Sequence, residues 1–124
     1  MNAEREARNS ELKERTFGFG LRIVRLVQSL SKVGSADILG RQLLRSGTSV
    51  GANYRAGTRA RSRADFIAKL GIAEEECDET IYWMDMLIEL KLISAHRTRE
   101  LRSEAEQLLA IIVSSIKTAR RNEG

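Results

Sequence analysis

The stretch from Arg63 to Lys91, RADFIAKLGIAEEECDETIYWMDMLIELK, decides the fold. Within it Phe66, Leu70, Ala73, Cys77, Ile81, Met84 and Ile88 follow one another at intervals of four, three, four, four, three and four. That is the spacing of one helix face, because residues three and four apart lie on the same side. Trp83, Leu87 and Leu90 add a second apolar stripe. Ser62, with Asp65 three residues on, resembles a capping box and marks the start. The pattern predicts a helix over 63–91, about 40 Å long.

The same periodicity continues in both directions. Phe17, Leu21, Val24 and Val27, widened by Ile23, Leu26 and Leu30, predict an amphipathic helix from about Lys13 to Ser31. Residues 1–12 read as a polar lead-in, frayed but helical in character. At the break that follows, Gly34 suits a C′ position and Ser35 an N-cap. A second helix is expected over 36–60, marked by Ile38, Leu39, Leu43, Leu44, Val50 and Tyr54. It carries Gly40, Gly47, Gly51 and Gly57, and each glycine in a helix costs about 1 kcal/mol against Ala. Two readings stand there: a loop around Ser46 to Gly51, or small residues that let a neighbouring backbone approach closely. After a connection at 92–97, with Ser94 or Thr98 as N-cap, a fourth helix runs to about Arg120. Its inward positions are Leu101, Ala105, Leu108, Ile112, Ser115, Ile116 and Ala119. The expected fold is all-α, an up-down-up-down antiparallel four-helix bundle over 13–121 with a tail at 122–124.

Composition agrees. The chain of 124 residues is one domain in length. It has no proline, where average usage predicts about six. Proline breaks helix interiors and populates loops, so its absence suits long helices with tight turns. The single cysteine excludes an intrachain disulfide. Met1 to Thr16 is charged and lacks an apolar core, so no signal peptide is expected, and no apolar run reaches a membrane span. The expected location is the cytoplasm.

Catalytic patterns are missing. There is no G-x-S-x-G, P-loop or G-x-G-x-x-G. His96 stands alone in a helix connection, and Cys77 sits on the apolar stripe with no nearby His to activate it. The acidic run 74–79 invites a di-metal reading, but no Glu-x-x-His exists to complete a His-containing di-iron site. Neither an enzyme, a metal nor a cofactor is expected.

The charge pattern is more informative than the net charge of +4. Arginines outnumber lysines by 16 to 5, and Arg is favoured where planar contacts to carboxylate or phosphate matter. Arg41, Arg45, Arg55, Arg59, Arg61, Arg63 and Lys69 face Asp65 alone over 41–69, whereas 74–89 holds seven acids and no base. If the two helices are antiparallel about a turn near Arg61, Arg45 lies level with Cys77, within reach of Glu76 or Glu79. Arg41 then lies near Glu79 or Asp85. Arg45, Ser49 and Asn53 also repeat every four residues, forming a polar stripe able to hydrogen-bond across a helix contact.

At these residues the chain resembles a family of bacterial four-helix-bundle proteins first noticed in intervening sequences of large-subunit ribosomal RNA genes. The likeness runs from Phe17 to Lys117. Its most specific part is Leu44-Arg45-Ser46-Gly47-Thr48-Ser49-Val50-Gly51-Ala52-Asn53-Tyr54, continuing through Arg59 to Ser62, Asp65 to Ile67, Lys69, Glu76, Glu79-Thr80 and Tyr82-Trp83. The family commonly has Asn-Ile-Ala-Glu-Gly or Asn-Tyr-Arg-Glu-Ala after the Ser-Val stretch. This chain has Asn53-Tyr54-Arg55-Ala56-Gly57 and so lacks the acidic residue. The resemblance implies a bundle that assembles as a homo-oligomeric ring, often a pentamer. A distant relative, the accessory variability protein of diversity-generating retroelements, forms a basic ring that binds nucleic acid and a reverse transcriptase.

Two functions follow as expectations. One is a non-enzymatic oligomeric scaffold that contacts RNA or a ribonucleoprotein through Arg55, Arg59, Arg61 and Arg63. A ring would multiply that patch, and its phosphate attraction with it. With aromatics at 5%, a stacked single-strand platform is not expected. The other is a protein–protein adaptor or structural oligomer, in which the arginines pair with Glu4, Glu6, Glu11 and Glu14 or with a neighbouring subunit.

Overall fold

Four helices form where periodic apolar residues meet start and stop signals. The computed structural model describes residues 3–122. Residues 1, 2, 123 and 124, parts of the expected lead-in and tail, lie outside the described residues. The helices are α1 (Ala3–Gln28), α2 (Gly34–Thr58), α3 (Arg63–Glu89) and α4 (Ala95–Arg121). Successive helices pack against each other, and the α1–α4 seam that closes the bundle is the sparsest. No strand occurs among the described residues.

Two starts use the expected serines. Ser62 Oγ accepts the Asp65 N–H at 3.0 Å, and Ser94 Oγ accepts that of Arg97 at 3.4 Å. The break before α2 differs from expectation. Gly34 is not the C′ residue of α1, which ends at Gln28; it opens α2 with φ at 65°, and Val33 is the N-cap, with no side-chain capping bond. At the same end of the bundle α3 closes through a Schellman arrangement. Lys91 N–H meets the Ile88 carbonyl at 2.9 Å and Leu92 N–H meets that of Leu87 at 3.0 Å. Lys91 takes φ of 60° there, the left-handed conformation a glycine would adopt more easily.

The core is built by Phe19, Ile23, Leu43, Val50, Tyr54, Leu70, Met84, Leu87, Leu108 and Ile112, all almost fully buried. The inward stripe of α1 is rotated from the predicted one. Leu12, Thr16, Phe19 and Ile23 are buried, whereas Phe17 is 68% exposed and Leu21 41%. Both sets have helical spacing, so periodicity alone could not choose. The true stripe was disguised because it contains Thr16 and Gly20. In α3 the expected Leu70, Ala73, Cys77 and Met84 are buried together with Thr80 and Leu87, whereas Phe66, Ile81 and Ile88 are half-buried, and Ile38 of α2 points out at 64% exposure. In α4 Leu101, Ala105, Leu108, Ile112 and Ile116 are buried, with Ser115 and Ala119 half-buried at the margin.

The glycine-rich segment is helix throughout, so the loop reading of 46–51 is overturned. Close approach explains it. A Cβ on Gly47 would stand 2.7 Å from Ile23 Cγ2, and one on Gly51 would stand 3.1 Å from the Thr16 backbone. α1 and α2 therefore touch nearly backbone to backbone, and the dispersion contacts so gained offset the poor helix propensity. α1 itself starts at Ala3, ten residues before the predicted boundary. Leu12 is buried, and Asn9 Oδ1 accepts the Tyr54 hydroxyl at 3.0 Å, which ties the polar lead-in to α2.

Candidate nucleic-acid interface

The arginines divide according to what their helices face. Arg45 projects from α2 toward α3, where its guanidinium donates to Glu76 Oε2 at 2.8 Å and also to Glu79. Glu79 accepts the Trp83 indole N–H at 3.1 Å as well, so one carboxylate joins α2 to the aromatic pair Tyr82–Trp83. Arg41 departs from expectation. It pairs with Asp37 of its own helix at 3.1 Å, because Asp85 is taken by Arg102 of α4. That pair is bidentate, at 2.6 and 3.0 Å, and the Arg102 hydrogen bond holds the Asp85 carboxyl below its ordinary range.

The other members of the expected polar stripe do not bond across the helix contact. Ser49 Oγ donates to the Arg45 carbonyl and Asn53 Nδ2 to the Ser49 carbonyl, both within α2. Such back-bonding satisfies a half-buried polar group locally, so no partner helix is needed. Besides Arg45, a second polar link crosses this contact, between side chains outside that stripe. Thr80 Oγ1 donates to Ser46 Oγ at 3.0 Å, and both residues are fully buried.

Cys77 is fully buried, its thiol aimed at the Ala105 carbonyl 3.3 Å away. Burial pushes the thiol up to about 12, leaving it protonated and unreactive. His96 is exposed on the first turn of α4. Among the described residues no His, Cys, Asp and Glu side chains gather as a metal site.

Four further arginines lie at the end of the bundle where α2 turns into α3. Arg55, Arg59, Arg61 and Arg63 are all exposed there. Arg63 donates to the carbonyl of Asn122, stitching the α3 start to the α4 end. Arg55, Arg59 and Arg61 have no ion pair among the described residues. None of Glu4, Glu6, Glu11 and Glu14 makes an ion pair with these four arginines among the described residues. Even Arg15, which sits beside Glu11 and Glu14 in sequence, bridges instead to Glu104 of α4 through bonds of 2.6 and 3.1 Å.

Beside this corner the α1–α4 seam opens into a cleft of about 830 Å³. Its floor is apolar, made by Leu12, Tyr54, Phe66 and Ile111. Arg5, Arg8, Arg15, Arg61 and Arg63 stand around it, against Glu11 as the acid in the lining. Burial pushes the Tyr54 phenol up to about 12 despite the opposing pull of the nearby Arg8 charge. Phe66 is legible in the sequence only as a core position, and no motif marks Arg8 or Asn9 for this cleft. Their placement follows from the early start of α1 and from the splay of two helices distant in sequence.

Comparison with known proteins places these features. A family model described as 23S rRNA-intervening sequence protein matches residues 8–114. The chain is also similar to a crystal structure of a protein with unknown function from the S23 ribosomal protein family of Bacteroides thetaiotaomicron. The two share 36% identity with a TM-score of 0.80, over 88% of this chain and 97% of that one. No curated protein matches the chain.

Proposed function

The chain belongs to the 23S rRNA-intervening sequence protein family, and from that premise we propose that it is a non-enzymatic, oligomeric binding scaffold that meets RNA. The observation that carries this reading is the exposed cluster of Arg55, Arg59 and Arg61, unpaired among the described residues. Three guanidiniums with no internal carboxylate keep their donors and charge available for phosphate. Binding of this kind is dominated by the RNA backbone and falls steeply with salt. The scaffold works in the cytoplasm as a ring, five-fold in the form its resemblance implies. Phe17 and Leu21, exposed on α1, supply apolar surface for such an assembly to cover.

A salt series with mixed-sequence RNA tests the RNA contact. Wild type should bind at low salt and weaken steeply as salt rises, and the Arg55→Ala/Arg59→Ala/Arg61→Ala variant should show a flatter slope by about two to three units. Absence of binding by wild type at low salt would overturn the reading. Light scattering in the same buffers tests the assembly: a mass of 13.9 kDa, that of one chain, would exclude the ring.

A further inference from the structure

We propose that the cleft between α1 and α4 is a pocket for one unpaired nucleotide, with the base against Phe66 and the phosphate between Arg8 and Arg61. This rests on the RNA-binding reading above and adds a preference for single-stranded elements to it.

Three properties of the cleft select this ligand class. Its volume of about 830 Å³ lies in the range of small-molecule sites. Its charge selects an anion. Of the arginines around it, Arg15 is committed to Glu104 and Arg63 to the Asn122 carbonyl, whereas Arg8 and Arg61 are exposed and have no ion pair among the described residues. Arg8 reaches from α1 and Arg61 from the α2–α3 corner, so their charges converge on the same opening.

The walls then separate a nucleotide from an acyl anion. Phe66 is half-buried and lines the floor, leaving part of its ring available to a flat partner. Opposite, α4 presents Ser114 and Thr118 hydroxyls, and α1 presents the Asn9 amide. Ring nitrogens and exocyclic groups of a base can meet these polar groups. An acyl chain would cover them without a hydrogen bond, which is unfavourable. The low aromatic content excludes a run of stacked bases, but one ring is enough for one base. A regular duplex cannot use the pocket, because its bases are stacked and paired.

The test compares a fluorescein-labelled RNA duplex with the same duplex carrying one bulged nucleotide, by anisotropy at fixed salt. Wild type should bind the bulged RNA about tenfold more tightly, the size expected for stacking of one base. Ala119→Trp fills the half-buried wall of the cleft without changing charge. It should abolish the preference and leave duplex affinity and its salt slope intact. Ala110→Trp, at an exposed wall position, repeats the test should the first variant fold poorly. Competition by millimolar mixed mononucleotides that removes the preference would identify free nucleotides as a second source of the ligand, in support of the pocket. Equal wild-type affinity for the two RNAs overturns the pocket and spares the scaffold reading, whereas no binding of either RNA overturns both. An acidic amphipathic helical peptide that binds, is blocked by Ala119→Trp, and is accompanied by no bulge preference would also overturn the nucleotide assignment.

Discussion

α1 is held on its two flanks by opposite means. Toward α2 it meets Gly47 and Gly51, with the Thr16 backbone 3.1 Å from where a Gly51 Cβ would stand. Toward α4 its described polar attachment is Arg15 with Glu104 and Gln107, and beyond that point the helices part around a cleft. The first seam is sterically closed, and it fixes helix separation. The second is polar and open, so it leaves a concave surface at the basic end. A four-helix bundle with two equally tight outer seams would have no such surface. The contrast locates rigidity and binding capacity on different sides of one helix.

Forcing the closed seam apart should have the largest effect. Gly47→Val places branched methyls against Ile23, whose own Cβ would be 3.0 Å from the first added carbon. Both neighbours are β-branched and stiff, so the expected loss is about 3 kcal/mol in urea unfolding. A loss under about 0.5 kcal/mol would mean the seam is soft after all.

A smaller effect separates the cleft floor from the deep core by pH. Cys77 and Tyr54 are both pushed up to about 12 by burial. In the folded chain they retain protons that the unfolded chain releases from about pH 9 to 10 upward. Their contribution to stability is therefore full below that range and is lost as pH rises toward about 12. Tyr54→Phe and Cys77→Ala should each flatten the alkaline fall in stability. An unchanged slope in Tyr54→Phe would show that the cleft floor is wetter than its burial implies.

The open seam should respond least in global stability. Arg15 and Glu104 keep 29% and 18% of their side-chain surface exposed, so Arg15→Ala should cost about 1 kcal/mol or less, screened by salt. Its signature should be local: faster amide exchange over 3–15, with α2 and α3 unaffected. Uniform acceleration across all four helices would erase the distinction between the two seams.

Much of this was readable in the chain. The stripe of α3, the Ser62 cap and the lack of proline each follow from local backbone physics, so four helices could be counted without tertiary information. The level of Arg45 with Glu76 and Glu79 was also readable, because an antiparallel hairpin ties sequence distance from the turn to height along the bundle. Arg41 shows where that logic ends. Its height allowed Asp85, but Asp85 faces α4, and rotation about a helix axis is not contained in a height.

The inward face of α1 failed for a related reason. Phe17 and Leu21 are more apolar than Thr16 and Gly20, yet small residues occupy the contact because α2 lies so close. A hydrophobic pattern reports how well each residue would bury, not which face meets a backbone a few ångströms away.

The sequence by itself therefore determined the helices, their order, the inert character of Cys77 and the basic corner at Arg55 to Arg63. Each depends on neighbours in the chain or on one hairpin. Only the tertiary structure decided that glycines bring α1 onto α2, that Arg8 and Arg61 share one opening, and that Phe66 lies beneath them. Those relations join α1 to residues on later elements, from Ile23 with Gly47 to Arg8 with Phe66, and they arise from the rotation and splay of whole helices once their cores have packed.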